Sequence, residues 1–212
     1  MLHAGEQHVV LVAGAEHITF GDADFLADPA RAVQIVERLR DRRPCATYDV
    51  TIPVPRLLAH PDTLLHLAAT GCLFVTTEVV SVDDAVLTRL RKGHTRADVV
   101  AAAGHCRRAG LGLSPTLVPF HPWTTRRSLL DMFLLLADLG LADAVAPTQF
   151  TKRLEVPGAG SPRDPDIDPD IEALHARFEA FVALGRSLQL TRGETFDCLY
   201  ALAGGVKLRP SN

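Results

Sequence analysis

The sequence predicts an α/β fold in which parallel β-strands alternate with α-helices. Short β-branched runs are each followed by a longer segment with apolar residues at helical spacing. The chain has 212 residues, of which 47% are hydrophobic and 22% charged, so it holds enough apolar side chains for one substantial core. Parallel strands with helical crossovers form either an open, doubly wound sheet or a full or partial (β/α) barrel, and the alternation alone favours neither.

The first half of the chain contains three of the predicted strands. The helix after the first strand begins with Asp28 and Pro29, an N-cap followed by a first-turn proline. Ser81 is expected to cap a later helix. The predicted elements are strands at 18–20, 46–52 and 72–79 and helices at 28–43, 56–71, 81–93 and 95–110.

In the second half a strand at 111–120, a helix at 124–140 and a fifth strand at 143–150 are predicted. A loop rich in Pro, Gly and Asp follows at 153–170, and two further helices are predicted at 170–187 and 191–205. We therefore expect a barrel domain at 1–162 and a helical extension at 163–212 that packs on it. Residues 6–17 suit a strand or a helix, and a helix is the more economical interpretation.

Composition and charge limit the classes of function. A net charge of −3 gives no basic surface for nucleic acid or acidic membranes. No apolar run approaches the roughly 20 residues of a membrane span, and no signal-peptide pattern opens the chain. The four cysteines lie too far apart for a local metal site or redox pair and are expected to be reduced and buried: Cys45, Cys72, Cys106 and Cys198. We expect a cytoplasmic protein that acts on a small molecule.

Polar residues gather at the carboxyl ends of the predicted strands, where parallel α/β folds bind ligands. The first strand is followed by Asp22 and Asp24. The later ends carry Thr51; Thr76, Thr77 and Glu78; Thr116, with His121 and Trp123 beyond it; and Gln149, Thr151 and Arg153. Because five consecutive strands begin apolar and end polar, these residues predict one shared ligand cleft. Composition alone does not identify the ligand.

Four motifs resemble those of radical S-adenosylmethionine (radical SAM) enzymes in order and spacing. They are "GAEHITFGDADFLADP", "GCLFVTTEVVSVDDAVLTRLRKGHT", "LSPTLVPFHPWTT" and "APTQFTKRLEVPGAGS", within residues 5–162. They are most similar to the branch whose members often carry a cobalamin-binding domain. The resemblance implies a partial (β/α) barrel that binds SAM. In intact relatives a [4Fe–4S] cluster cleaves SAM reductively to a 5′-deoxyadenosyl radical, and cobalamin is a candidate further cofactor.

The resemblance also implies which residues meet the ligands. Backbone carbonyls and an acid at Phe20, Gly21 and Asp22 would hold the SAM amino group, with Asp24 beside them. Ser81 would meet the SAM carboxylate or ribose. Further residues are expected at the cofactor (Thr77, Thr116 and Gln149) and at the substrate (His121, Trp123 and Arg153). No catalytic residue or metal ligand is assigned, and Asp22 and Asp24 could instead cap the turn that follows them.

Two departures from the family pattern stand out. The sequence contains no Cys-x-x-x-Cys-x-x-Cys motif, although Fe–S clusters require closely spaced thiolates. Val80 stands where the family has a glutamate before Ser81, and Glu78 lies two residues earlier. We therefore expect a barrel without its first strand and cluster loop, inactive as an isolated chain.

Two other functions stay open. A metal-dependent hydrolase or aldolase of the barrel type would require His17, Asp22 and His121 to converge on one metal ion. A non-catalytic interaction subunit would dock a partner through the helices after Ile171. That segment has an apolar stripe, which consists of Phe178, Phe181, Val182 and Leu184. The same stripe would suit a helix packed on the barrel.

Overall fold

The computed structural model describes residues 17–154 and 168–205. Almost all of the segment at 6–17, and the predicted domain boundary at 162, lie outside the described residues. By their contacts the described residues form two compact units. Each unit is made of segments that are not consecutive in the sequence. The first unit comprises 17–78 and 97–115, and the second comprises 79–96, 116–154 and 168–205.

Among the described residues, four strands form one parallel sheet in the order β1–β2–β3–β4. In the register of the sheet, Ile18 lies opposite Tyr48, and Val50 lies opposite Val75. The strands are β1 (His17–Thr19), β2 (Thr47–Thr51), β3 (Cys72–Val80) and β4 (Gly112–Leu117). The predicted α/β fold with parallel strands is thus confirmed.

In the part of the chain that the structure describes, eight α-helices accompany the sheet, and the first begins as the sequence predicts. The Asp28 carboxylate accepts a hydrogen bond from the Arg31 backbone N–H at 3.0 Å, and Pro29 is the first helical residue. The helices are α1 (Pro29–Arg42), α2 (Val54–Ala59), α3 (Pro61–Ala69), α4 (Asp84–Arg89), α5 (Arg96–Ala109), α6 (Arg126–Asp138), α7 (Pro169–Ser187) and α8 (Arg192–Ala203).

Two helix boundaries differ from the prediction. The helix expected at 56–71 is divided at His60, because the proline that follows disfavours helical backbone at the preceding residue. Ser81 is not an N-cap. Asp83 caps α4 by accepting a hydrogen bond from the Ala85 N–H at 2.8 Å, and the Ser81 hydroxyl accepts one from the Asp83 N–H at 3.2 Å.

The fifth predicted strand, at 143–150, is wrong: Pro147–Thr151 is a 3₁₀ helix. Proline has no N–H to offer to a strand ladder. In addition, the ring of Phe150 is fully buried, 5.1 Å from that of Phe133 and 5.8 Å from that of Phe196. Burial of this ring against two helices outweighs the weak strand preference of the segment.

The two C-terminal helices are confirmed, and their apolar residues complete the core of the second unit. Phe178 of α7 is buried against Phe120, at 5.5 Å, and Val182 is buried one turn later. The predicted stripe therefore packs inward within this unit, although Leu184 is half exposed. No helix in the described part of the chain combines the length and the apolar composition that a membrane crossing requires.

The two faces of the sheet differ in character because strand side chains alternate. Tyr48 and the other residues of one face are buried, and the Tyr48 hydroxyl donates to the Leu67 carbonyl of α3 at 3.1 Å. Burial raises the pKa of Tyr48 well above its usual range. The opposite face, here called the polar face, carries His17, Thr19, Thr47, Asp49, Phe74, Thr76, Glu78 and Ser114.

The turn from α3 into β3 depends on Gly71. Its φ is +107°, and a Cβ added there would lie 2.8 Å from the Ala46 carbonyl oxygen. We expect Gly71→Ala to lower the free energy of unfolding by roughly 3 kcal/mol in urea denaturation, from backbone strain plus this clash. Gly110→Ala is the matched control, since φ is +76° there and no atom lies within 4 Å. It should cost roughly 1–2 kcal/mol. Equal losses would refute the role of the Ala46 contact.

Candidate functional site

The end of β1 is fixed by Phe20. Its N–H donates to the Asp49 carbonyl at 3.1 Å, and its ring is buried 4.9 Å from that of Phe25 and 5.6 Å from that of Tyr48. The side chain therefore belongs to the core, which leaves only the backbone of Phe20 for contact with a ligand. Gly21, which follows, is exposed.

Each of the two acids after β1 has a carboxylate oxygen without a hydrogen-bond donor among the described residues. Asp22 forms no hydrogen bond or ion pair with any other residue that the structure describes. Asp24 Oδ2 accepts from Arg56 Nε at 3.2 Å, while its Oδ1 is enclosed and has no partner among the described residues. An enclosed acceptor without a donor is destabilising. Asp28, rather than either acid, caps α1. Asp22 is thus available to a cationic ligand group, and Asp24 adds negative charge two residues away.

The end of β3 places its polar residues on opposite faces. Thr77 is fully buried and lies on the same side of the strand as Val75 and Val79. Thr76 and Glu78 lie on the polar face with Asp49. Of the residues at the end of β3, Thr76 and Glu78 are therefore better placed than Thr77 to meet a ligand on the polar face.

In the second unit, the structure brings Ser81 and His121 together around a small cavity. Its volume is about 10 Å³, which is the space of about one water molecule. Val80, beside it, has a φ of +66°, a strained conformation for a β-branched residue. The cavity is lined by Val80, Ser81, Val82, Pro119, His121, Ser128, Leu129 and Met132.

His121 is the buried titratable group of this cavity. Its residue is 3% exposed, and its Nδ1 is enclosed without a hydrogen-bond partner among the described residues. Burial lowers the pKa of His121, and the nearby Asp83 charge opposes this shift only in part. The ring is therefore neutral at pH 7. The Thr124 hydroxyl holds the loop in place, accepting from the His121 N–H and donating to the Pro119 carbonyl, both at 2.8 Å.

The other predicted residues of this unit have partners already. The Trp123 ring lies 5.8 Å from that of His121 and 5.3 Å from the Arg89 guanidinium carbon, a cation–π contact. Gln149 Oε1 accepts from the Leu117 N–H at 3.4 Å. Arg153 forms a two-pronged ion pair with Glu172, at 2.6 and 3.0 Å. Thr116 is half-buried near the end of β4.

The described residues do not fit an iron–sulfur cluster. No group of three His, Cys, Asp or Glu residues in this part of the chain is arranged to hold a metal ion. Cys72 and Cys106 are buried, and burial raises the pKa of their thiols to about 12 and about 11, whereas iron binds thiolates. Cys198 is half-buried and Cys45 is exposed, contrary to expectation. The same absence of a three-ligand group gives the metal-dependent hydrolase hypothesis no support.

Asp49 is a polar-face residue that the sequence reasoning missed. It is buried within β2 and hydrogen-bonded to His17 and Thr19 of β1. The available signal was an acid in the middle of the β-rich run "TYDVT". A charge in such a run requires a partner, but the sequence does not show which residue of a neighbouring strand provides it.

The fold is similar to that of solved radical SAM enzymes. The chain matches the cobalamin-dependent S-adenosylmethionine radical enzyme OxsB, solved with aqua-cobalamin and S-adenosylmethionine bound, with a TM-score of 0.52 and 15% identity over 91% of this chain and 29% of that one. It matches the radical S-adenosylmethionine methyltransferase TsrM from Kitasatospora setae, solved with cobalamin and a [4Fe–4S] cluster, with a TM-score of 0.50 and 17% identity over 60% of this chain and 25% of that one.

These matches confirm the radical SAM resemblance, and the partial barrel that it implies, at the level of the fold. The chain spans about a quarter of the length of the solved enzymes that it matches. No family model matches the sequence, and no curated protein matches it significantly.

The burial of two thiols leads to a labelling prediction. We expect a disulfide reagent at pH 8 to label the exposed Cys45 quickly, while Cys72 and Cys106 react only after unfolding, because both are enclosed and protonated. Absorbance of the released thiolate, with and without guanidinium, measures both phases. Because Cys198 is half-buried, the variants carry Cys198→Ser as background, and in that background Cys45→Ser should abolish the fast phase. Fast labelling of Cys72 or Cys106 in the folded chain would contradict the structure.

The lowered pKa of His121 predicts a dependence of stability on pH. Below pH 6.5, the ordinary pKa of histidine, His121 binds a proton in the unfolded chain but stays neutral in the folded chain until the pH falls further. The free energy of unfolding therefore decreases as the pH drops. One such group contributes at most about 1.4 kcal/mol per pH unit. Urea denaturation between pH 7 and 5.5 should show a smaller fall in His121→Gln. His66→Gln, which changes a half-buried histidine far from this cavity in sequence, is the control and should keep a slope closer to that of the wild type. Equal slopes in all three chains would contradict the burial effect.

Proposed function

We propose that this chain binds S-adenosylmethionine at the carboxyl end of β1. The observation that carries the proposal is the pair of acids there, Asp22 and Asp24, whose carboxylates retain oxygens without donors among the described residues. SAM carries an ammonium and a sulfonium group, and carboxylates provide charge-assisted acceptors for an ammonium. The likeness of the fold to radical SAM enzymes supports the same choice of ligand.

Each residue of this strand end has a separate role in the proposal. Asp22 accepts hydrogen bonds from the ammonium group. Asp24 adds negative charge and is oriented by Arg56. Gly21 has no side chain, so a ligand can approach its backbone and that of Phe20 closely. Phe20 anchors the segment through its buried ring.

The cavity between Ser81 and His121, which has the space of about one water molecule, is proposed as a separate contact for a hydroxyl group of a ligand. Ser81 has a hydroxyl, and the neutral imidazole of His121 has an enclosed nitrogen without a partner among the described residues. Two further sets of contacts stay predictions: those of Thr77, Thr116 and Gln149 with the cofactor, and those of Trp123 and Arg153 with the substrate.

The chemistry of the whole protein is a wider proposal. In radical SAM chemistry the bound SAM supplies a 5′-deoxyadenosyl radical. The described residues fit the binding of SAM but not of the cluster, so the function proposed for them is to bind and orient SAM. Radical chemistry on a small-molecule substrate, a requirement for cobalamin and a cytoplasmic location are proposed for the protein as a whole.

Calorimetry with SAM tests this function. Wild-type chain should bind SAM, and Asp22→Asn should weaken binding by about 10–100-fold, the equivalent of one charge-assisted hydrogen bond of 1.5–3 kcal/mol. Asp41→Asn, which removes an exposed acid of α1, should leave the affinity within twofold. S-adenosylhomocysteine keeps the ammonium but lacks the sulfonium charge. Asp22→Asn should therefore weaken its binding by the same factor.

Two calorimetric results would contradict the proposal. If the wild-type chain shows no heat of binding with SAM, the proposed function is wrong. If SAM binds but Asp22→Asn and Asp41→Asn behave alike, the chain binds SAM elsewhere and the assignment of Asp22 is wrong.

A further inference from the structure

His17 and Asp49 form a hydrogen-bonded pair on the polar face, apart from the acids assigned to SAM. His17 Nε2 lies 2.9 Å from Asp49 Oδ1, and the Thr19 hydroxyl donates to the same oxygen at 2.7 Å. The strand register explains the pairing, because Thr19 lies directly opposite Asp49, and His17 lies opposite Thr47, two residues before it. One strand supplies the imidazole and the next supplies the carboxylate.

The pair differs from an ordinary surface ion pair in the burial of its acid. The Asp49 side chain is 7% exposed, while the His17 side chain is 38% exposed. The chain contains a natural comparison in His66 and Glu37, which are 3.4 Å apart with side chains 37% and 53% exposed. The two histidines are thus equally open to solvent, but only His17 has a buried carboxylate behind it.

The hydrogen-bond partners of His17 determine which of its two ring nitrogens carries the proton when the imidazole is neutral. A carboxylate oxygen can only accept, so Nε2–H donates to Asp49. Nδ1 then presents its lone pair, and the Thr47 hydroxyl lies 2.9 Å from it. An imidazole held by a carboxylate on one nitrogen, with a hydroxyl at the other, is the arrangement in which histidine acts as a general base.

A second feature is an acceptor left over on the buried acid. Asp49 Oδ1 takes both hydrogen bonds, and Oδ2 has no hydrogen-bond partner among the residues that the structure describes. A hydroxyl group of a ligand would supply a donor to this oxygen.

We propose that His17 and Asp49 form an acid–base dyad that takes a proton from a hydroxyl group of a small ligand lying on the polar face. The ligand hydroxyl takes the place of the Thr47 hydroxyl at Nδ1. As the ligand oxygen bonds to an electrophilic carbonyl carbon, its O–H bond breaks and an N–H bond forms at Nδ1. The imidazolium that results keeps its Nε2–H on Asp49, whose negative charge stabilises it. No electrons are transferred. The dyad needs neither SAM nor a cluster, so it goes beyond the function proposed above.

The surroundings of the dyad favour a hydroxylated ligand. The ring of Phe74 lies parallel to that of His17, with centroids 6.2 Å apart and an angle of 15°, and provides a flat apolar surface. Three half-buried residues of the polar face, Thr47, Thr76 and Ser114, carry hydroxyl groups. Hydrogen-bonding hydroxyls beside one aromatic surface suit a small molecule with both C–H and O–H groups.

Hydrolysis of p-nitrophenyl acetate by the full chain tests the dyad, with water as the hydroxyl compound. Water gives a proton to Nδ1, its oxygen bonds to the ester carbonyl carbon, and p-nitrophenolate leaves, so acetate and p-nitrophenolate are the products. His17→Gln and Asp49→Asn should each lower the protein-dependent rate by about tenfold or more. His66→Gln is matched in exposure and should stay within twofold of wild type.

Two readouts separate this role from a structural one. Circular dichroism melting shows whether Asp49→Asn still folds, and only folded variants are compared. The wild-type chain is also decisive by itself: ¹⁵N spectra of the His17 ring at pH 8 should show Nε2 protonated and Nδ1 bare. The opposite tautomer, or equal rates for folded His17→Gln and His66→Gln, would overturn the proposal. Loss of SAM binding would leave it untouched.

Discussion

Alternation of side chains along parallel strands is the constraint on which the first unit depends. In β1 and β2, and in β3 from Val75 to Val79, every second residue is buried on the side of the helices, where the Tyr48 hydroxyl donates a hydrogen bond to α3. The residues between them must then share the other face. Apolar side chains on the first face stabilise the sheet, while the second is free to carry hydroxyls, an imidazole and carboxylates.

This constraint makes a charge inside a strand tolerable. Asp49 is buried, and burial of an unpaired carboxylate is strongly unfavourable. Its position in the register puts it beside Thr19 and His17, so two donors from one neighbouring strand reach it. A shift of register by one residue would move Asp49 onto the apolar face and remove both donors. The polar pair and the apolar face therefore specify the same alignment of β1 and β2.

The second unit is organised by aromatic rings instead of by strand alternation. Phe133 of α6 contacts Phe150 at 5.1 Å and Phe196 at 5.0 Å, and Phe178 lies 6.2 Å away. These contacts hold the 3₁₀ helix and the last two helices together. Phe178 and Val182, from the apolar stripe of α7, pack into this internal core. The stripe therefore does not favour the hypothesis of an interaction subunit.

Periodicity and capping chemistry are local, so the α/β class, four of the five strands, the start of α1 and the two C-terminal helices could be predicted from the residues alone. The acids after β1 were predicted in the same way. Contacts between distant segments explain why 143–150 is not a strand, why Thr77 lies away from the polar face, and why His17 pairs with Asp49. These outcomes depend on which neighbour lies across a strand or against a ring. Such neighbours are distant in sequence: His17 and Asp49 are 32 residues apart.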